Sequence, residues 1–385
     1  MLLGESTVKK ITSCCATECC GAPDNLDPPT HSDRNIDVSW VMGVIDTPAG
    51  QVAKIKTHLE SADTIGAIKA RVGINRDNYK IDPGLYAVGN PDNQSPVLVT
   101  ANYKLTFDSL RRELATQNLW ILALDTKGIN VWCAAGKGTF GTDELIYRIN
   151  QVQLKKVISH KNIILPQLGA PGVAAHEVSK STGLKVTYGP VYAKDLPRFL
   201  SNNCQASADM RKVHFTLKDR LTVIPVELNH VLKVLPILFT LLFIFNLVSP
   251  GDRNLSAILI QSAFNFIPYA VAIVLGTVGI ATLLPYIPVR SFAAKGLLLG
   301  LVWAALVVRY QGSFRFAENT LISAANILLL TAITSFFALN FTGSTTFTSV
   351  SGVQKETLAS IPWMILATLL GLGLAITHKI MLFTG

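Results

Sequence analysis

Cys133 is the residue whose surroundings most invite chemistry. It stands in Asn130-Val131-Trp132-Cys133-Ala134-Ala135-Gly136-Lys137, ahead of a glycine-rich stretch that ends at Thr142. A thiolate is both a nucleophile and a soft metal ligand. As a nucleophile it needs a base, which His160 or His176 can supply. A buried, inert thiol beside small residues is the plainer alternative. Gly136-Lys137 hints at a phosphate loop, but Gly138 occupies the Ser/Thr position and Val131, not Gly, stands five residues before Gly136. A second set of thiols, the adjacent pairs Cys14-Cys15 and Cys19-Cys20, lacks the spacing of an iron-sulfur run.

The elements around Cys133 read as an α/β domain built on a largely parallel sheet with helices on its faces. Strands are expected at Leu85–Val88, Val97–Ala101, Leu119–Leu124, Ile129–Trp132, Asn162–Leu165 and Lys185–Tyr188, and helices at Gln51–Ile74, Thr106–Gln117, Asp143–Gln153 and Pro171–Thr182. Ligands of such sheets sit at loops leaving the carboxyl ends of strands. Three loops qualify. One runs from Thr100 to Asp108, with Thr106 as a candidate helix cap. The second carries Cys133. The third spans Leu165 to Val173, where glycines such as Gly169 permit close approach to a flat ligand.

Residues 231–385 have a different composition, with charge-free runs near the 20 or so residues that cross a hydrocarbon core. Five spans are expected: Val231–Ser249, Ile258–Leu284, Ser291–Val308, Thr320–Phe341 and Leu358–Thr377. Pro268 and Pro285 favour a tilted or kinked second span over two crossings. No ionisable group falls deep within these bounds, which argues against a transporter and for an anchor or docking platform. The hydroxyl-rich loop Asn340–Gly352 either contacts the soluble domain or is simply solvated. The division is then a flexible tail at 1–34, an α/β domain at 35–200, a juxtamembrane segment at 201–230 and a transmembrane bundle of five helices at 231–385. The first ten residues hold no secretory apolar core, so the α/β domain is expected on the cytoplasmic side of the membrane, where thiols stay reduced. The formal charge of +9 comes from scattered bases, which speaks for anionic lipid contact and against nucleic acid.

The eight residues from Asn130 to Lys137 resemble, without a departure, the signature of the mercury-methylating corrinoid protein HgcA. The order of a soluble domain followed by five spans resembles it too. The stretches Thr100–Asp108 and Gln167–Val173 resemble the same family and, more loosely, the corrinoid domain of the corrinoid iron-sulfur protein. The resemblance implies a cap helix that presents Cys133 to the cobalt of a corrinoid as its lower axial ligand. It also implies methyl transfer to Hg(II), and a partner similar to the small ferredoxin-type protein HgcB that supplies electrons. It places Asn130, Val131, Trp132, Ala134, Ala135, Gly136 and Lys137 against the cofactor, with Thr100, Thr106, Gly169 and Val173 around it. Within that frame Asn130 orients the sulfur, and Ala134, Ala135 and Gly136 let the helix lie close to the corrin face. Trp132 is read as core, and Lys137 meets cofactor or solvent. The His-ligated motif D-x-H-x-x-G is absent from the sequence. Cys14, Cys15, Cys19 and Cys20 then become candidates for Hg(II) capture, against the reading of incidental thiols in a tail; Cys204 has no role. A one-carbon carrier of the acetyl-CoA type, or a membrane ligand sensor or transporter, are the competing functions.

Overall fold

A computed structural model describes residues 38–248, 254–341 and 350–384. Cys14, Cys15, Cys19 and Cys20, and residues 342–349 of the hydroxyl-rich loop, lie outside the described residues.

The α/β domain opens with β1 (Val41–Thr47) and β2 (Gly50–Ile55), then α1 (Ser61–Arg71), β3 (Gly84–Val88), β4 (Val97–Ala101), α2 (Lys104–Arg112), β5 (Leu119–Leu124) and α3 (Val131–Lys137). It continues through α4 (Thr142–Gln151), α5 (Leu154–Val157), β6 (Asn162–Leu165), α6 (Ala175–Thr182), β7 (Lys185–Tyr188) and α7 (Leu196–Ser201). The seven strands form one sheet in the order β1-β2-β3-β5-β4-β6-β7. Four pairings are parallel, including the contiguous set β5-β4-β6-β7, and the two antiparallel ones are β1 with β2 and β3 with β5.

The central strands are buried on both faces, which is why their sequences are unbroken apolar runs. Leu85 and Ala87 enter the core under α3 to α6, while Tyr86 and Val88 enter a second core with Phe107, Leu110 and Phe199 of α2 and α7. A buried ion cluster ties α1 to α2. The Lys104 ammonium lies 2.8 Å from Asp63 and 2.7 Å from Asp108, and Arg111 lies 2.7 Å from Asp63 and 2.8 Å from Asp108. Burial alone would raise the Asp63 carboxyl. The hydrogen bonds from Lys104, the Glu60 backbone and Arg111 outweigh it and lower its pKa from 3.8 to about 2.

Two expected elements differ. Residues 51–74 are not one helix, because Thr47 and Gly50 turn the chain into a hairpin. The Thr47 hydroxyl donates to the Gly50 carbonyl at 2.6 Å, and Gly50 has φ 111°. Helix α1 starts only at Ser61, where the side chains of Glu60 and Asp63 form a reciprocal capping box. The expected strand Ile129–Trp132 is a loop entering α3, because Asn130 caps a helix there.

Among the described residues, five helices are long and apolar enough to cross a membrane. They are α8 (Leu217–Leu247), α9 (Leu255–Val274) continued by a π-helical turn at Leu275–Gly279 and α10 (Ile280–Leu283), α11 (Phe292–Arg309), α12 (Thr320–Asn340) and α13 (Val350–Thr384). The second span is therefore one continuous run, with its irregular turn packed on α12, where Gly276 sits against Thr334 and Phe337. Gly296 and Gly300 likewise leave no room for a Cβ against α12, the close approach of small residues expected of helices packed in lipid.

Helix α8 starts well before residue 231, and its first turns rest on the α/β domain, with Asn229 beside Gly73. Arg220 donates to the carbonyls of Ala281 and Thr282 at 2.9 and 3.0 Å, and Lys295 to those of Leu284 and Ile287 at 2.8 and 2.6 Å. Both cations thus satisfy carbonyls at the end of the second span. Helix α13 runs past Thr377 to Thr384 and carries His378 and Lys379 within the helix. Both lie in the last two turns of α13, beyond the end expected for the fifth span.

Candidate functional site

Cys133 is positioned by a chain of hydrogen bonds that starts in the sheet. Asn102, 1% exposed at the end of β4, accepts from the Thr126 backbone N–H at 3.1 Å, the Thr126 hydroxyl at 2.9 Å and the Gly128 N–H at 3.1 Å. Its own Nδ2 donates to Asp125 at 3.2 Å. The Thr126 hydroxyl in turn donates to the Ile129 carbonyl at 2.7 Å. This fixes the loop from β5 to α3. Burial disfavours the Asp125 carboxylate, but the side-chain and backbone hydrogen bonds from Lys127 outweigh it and hold its pKa below the ordinary value.

The loop delivers Asn130 as N-cap of α3. Its backbone is extended, and its side-chain oxygen accepts from the Cys133 N–H at 2.9 Å. The helix ends after Lys137 because Gly138 adopts φ 82°. Gly136-Lys137-Gly138 is thus a helix stop rather than an anion cradle.

Cys133 faces a cavity of about 580 Å³ at the carboxyl ends of β4, β5, β6 and β7. Of the residues expected at the site, Asn130, Val131, Trp132, Cys133, Thr100 and Thr106 line it together. Thr106 does not cap α2: Tyr103 occupies the cap position, and Thr106 stands in the first turn with its neighbourhood open to the cavity. Trp132 is half-buried on the cavity wall rather than in the core.

The others lie elsewhere. Ala134 and Ala135 are buried in the core, and Gly136 and Lys137 are exposed. The small residues of α3 therefore serve close packing on the chain behind it. A Cβ on Gly172 would lie 2.1 Å from the Phe140 carbonyl and 3.0 Å from Ala135 Cα, and one on Gly169 would strike the Phe140 ring. Val173 is buried, and its carbonyl accepts from the Tyr188 hydroxyl at 2.8 Å.

Several lining residues escaped the sequence reading. Gly189 to Ala193 follow β7, a fourth strand end that the carboxyl-edge rule predicts once the order β5-β4-β6-β7 is known. Ser109 lies one turn after Thr106 and was findable by helical spacing, whereas Arg71, Arg76 and Val223 reach the wall from α1, the loop after it and α8, with no local signal. Cys204 is half-buried away from this wall, and burial raises its thiol pKa. His160 is held elsewhere, its Nε2 2.9 Å from the Ser95 carbonyl, and neither it nor His176 lines the cavity. Among the described residues that line the cavity there is no His, Asp or Glu to serve a nucleophilic Cys133 as base.

Residues 58–200, which hold nearly all of this wall, match the family model described as CO dehydrogenase/acetyl-CoA synthase delta subunit, CdhD. The α/β domain is similar to the CdhD family over these residues. The acetyl-CoA decarbonylase/synthase complex subunit gamma of Methanopyrus kandleri is 31% identical over 127 residues, covering 32% of this chain and 27% of the relative. Subunit gamma 2 of Methanosarcina thermophila is 33% identical over 132 residues, covering 33% and 28%. The subunit gamma of Methanocaldococcus jannaschii is 32% identical over 130 residues, covering 33% and 26%. The chain thus spans little more than a quarter of the length of these relatives, and the family model ends at residue 200, before the apolar helices.

Proposed function

We propose that this chain is a membrane-anchored corrinoid methyltransferase. On this reading Cys133 would hold the cobalt of a corrinoid, the methyl acceptor is Hg(II), and the product is methylmercury. The observation that carries the reading is a lone thiol, held by an N-cap, on the wall of a cavity at the carboxyl edge of a domain similar to the CdhD family. The residues present suit a corrinoid. The cavity falls within the volume range of small-molecule sites, and its wall is mainly apolar with a few polar groups, as a macrocycle with a polar periphery requires. The single soft donor on that wall is a thiol.

A corrinoid bound there supplies a cobalt able to carry a methyl group. The remaining work belongs to the chain. Cys133 would hold the cobalt through its sulfur, a strong soft donor, and the bound group would supply a methyl suited to transfer to a soft electrophile. Asn130 fixes the direction of that sulfur through the backbone of residue 133. The hydroxyls of Thr100, Thr106 and Ser109 offer hydrogen bonds to the periphery, and Trp132 closes part of the apolar wall. Electrons come from a separate ferredoxin-like protein of the HgcB type, and the α/β domain faces the cytoplasm from a multi-pass position in the cytoplasmic membrane. Cys14, Cys15, Cys19 and Cys20 are proposed to take up Hg(II).

A second reading is supported by the names of the relatives, which belong to acetyl-CoA decarbonylase/synthase complexes. Under it the same site carries a one-carbon unit to another acceptor. Purified protein is expected to show corrin absorbance whose axial signature changes in Cys133→Ala. Cells carrying the gene and its ferredoxin partner are expected to form methylmercury and to lose it with the same substitution. Corrin binding without methylmercury in the wild type would favour the one-carbon carrier, and protein that takes up no corrinoid would overturn both readings.

A further inference from the structure

The cavity that Cys133 lines has charge of one sign. Among its described lining residues Arg71 and Arg76 are the only permanently charged side chains, with no carboxylate and no lysine beside them. Ligation of a metal by Cys133 makes no use of either.

Both arginines reach the wall from the end of α1. The helix stops at Arg71, and the chain reverses through Gly73 at φ 83° and Asn75 at φ 51°. Arg76 then folds back on the helix, its Nη1 donating to the Ala70 carbonyl at 3.2 Å. Its guanidinium carbon also lies 5.6 Å from the centroid of the Tyr103 ring. The Tyr103 hydroxyl is buried without a hydrogen-bond partner. Burial raises its pKa, and the charges of Arg76 and Arg71 both pull it partly back. The two cations therefore share one corner of the site.

Nothing acidic on the wall cancels that corner. No ion pair involves Arg71 or Arg76 among the described residues, and Asp77, the acid next in sequence, is exposed and does not line the cavity. Capping of α1 accounts for one nitrogen of Arg76 and for none of Arg71. Two like charges beside an apolar wall are unfavourable until an anion joins them.

Resting on the corrinoid reading above, we infer that Arg71 and Arg76 bind the phosphodiester in the nucleotide tail of the corrinoid. A complete corrinoid carries one such phosphate between its ring and its terminal base, and its amide side chains are neutral. With the Cys133 sulfur on one face of the cobalt, the terminal base cannot occupy that face, and its tail needs a place of its own. A phosphate leaving water needs cations, and the forked donors of arginine match its oxygens. The wall offers them only at this corner.

The test uses the full chain in neutral detergent, with binding read from quenching of tryptophan fluorescence, since Trp132 lines the same cavity. Three probes are titrated: cobalamin; cobinamide, which has the same ring and cobalt but lacks phosphate and base; and cobinamide phosphate, which restores the phosphate alone. Cobalamin and cobinamide phosphate are expected to bind about tenfold or more tightly than cobinamide.

In Arg71→Gln and Arg76→Gln that preference should shrink, and in the double variant it should vanish, while the affinity for cobinamide stays at the wild-type value. Unchanged cobinamide binding also shows that the variants fold. Arg76→Lys keeps the charge without the fork and should recover part of the preference. Equal affinity of the wild type for cobinamide and cobinamide phosphate would overturn the proposal and leave the corrinoid reading standing. So would a loss of all three probes alike in the variants, because the arginines would then serve the fold. Binding of no corrinoid by the wild type would overturn the corrinoid reading and the proposal with it.

Discussion

Asn130→Ala removes one hydrogen bond, the 2.9 Å contact to the Cys133 N–H, and its effect can be worked out from α3 itself. Helix α3 has only seven residues, too few to be stable alone, so it is held by its cap, by Gly138 at its end and by the burial of Val131, Ala134 and Ala135. Losing an N-cap costs about 1 kcal/mol, which multiplies the population of the frayed first turn about fivefold. Cys133 lies in that turn. Hydrogen exchange of the Cys133 amide should therefore quicken by about fivefold, while amides of β4 and β5 stay as protected as in the wild type. In corrinoid-loaded protein the fraction with sulfur bound to cobalt should fall by a similar factor, read from the visible spectrum. Asn130→Asp and Asn130→Ser keep an acceptor oxygen and should recover most of the loss. If Asn130→Ser were as impaired as Asn130→Ala, the side chain would be acting on something other than the helix end and the capping argument would fail.

The cluster of Asp63, Lys104, Asp108 and Arg111 predicts a pH dependence. Because folding lowers the Asp63 pKa from 3.8 to about 2, its contribution is complete above about 4 and is lost as pH falls through about 2, with a size of about 2 kcal/mol. Asp63→Asn leaves two buried cations sharing one carboxylate and should cost about 3–5 kcal/mol in denaturant unfolding; it should also flatten the acid limb of the stability profile. Asn102→Ala strips four hydrogen bonds from the end of β4 and the loop before α3. It should lower the melting temperature and, unlike a change in the core, also weaken sulfur ligation. Gly172→Ala forces a Cβ against the Phe140 carbonyl and Ala135 Cα and should cost about 1–3 kcal/mol, measured by denaturant unfolding, with α3 displaced.

Strands β3, β4 and β5 were legible because burial on both faces leaves an unbroken apolar run, and β6 and β7 from shorter runs rich in β-branched residues. The hairpin of β1 and β2 was not, since Gln51 to Ile55 alternates weakly and merges with the helical pattern that follows. The signal present was Pro48-Ala49-Gly50, a turn sequence between two short apolar stretches. The error at Ile129–Trp132 has a similar origin. β-Branched and aromatic residues favour a strand, but Asn130 as cap and Gly138 as stop mark the helix between them, and the cap prevails because the loop before it is already fixed by Asn102. The five apolar spans were legible from length alone. Helix α13 itself continues past Thr377 to Thr384, since His378 and Lys379 need not end a helix that runs beyond its apolar stretch.

Residue type does not separate Cys133 from Cys204, the other described cysteine, but attachment does. A thiolate that is to ligate a metal needs a fixed direction and an open side. Cys204 sits at φ 59° just beyond α7, where burial pushes its thiol up, and it does not line the cavity that Cys133 faces. Cys133 has its backbone N–H tied to Asn130, its helix packed through Ala134 and Ala135, and its residue on the wall of the cavity of about 580 Å³. The direction of that sulfur is thus set two steps away, by a carboxamide at the end of β4 that contacts neither the cavity nor Cys133. Substituting Asn102 should therefore change metal ligation and protein stability together, whereas Asn130→Ala should change ligation with little effect on global unfolding. Equal effects of the two on global stability would mean that the loop and the helix end fold as one unit, and the stepwise ordering argued here would be wrong.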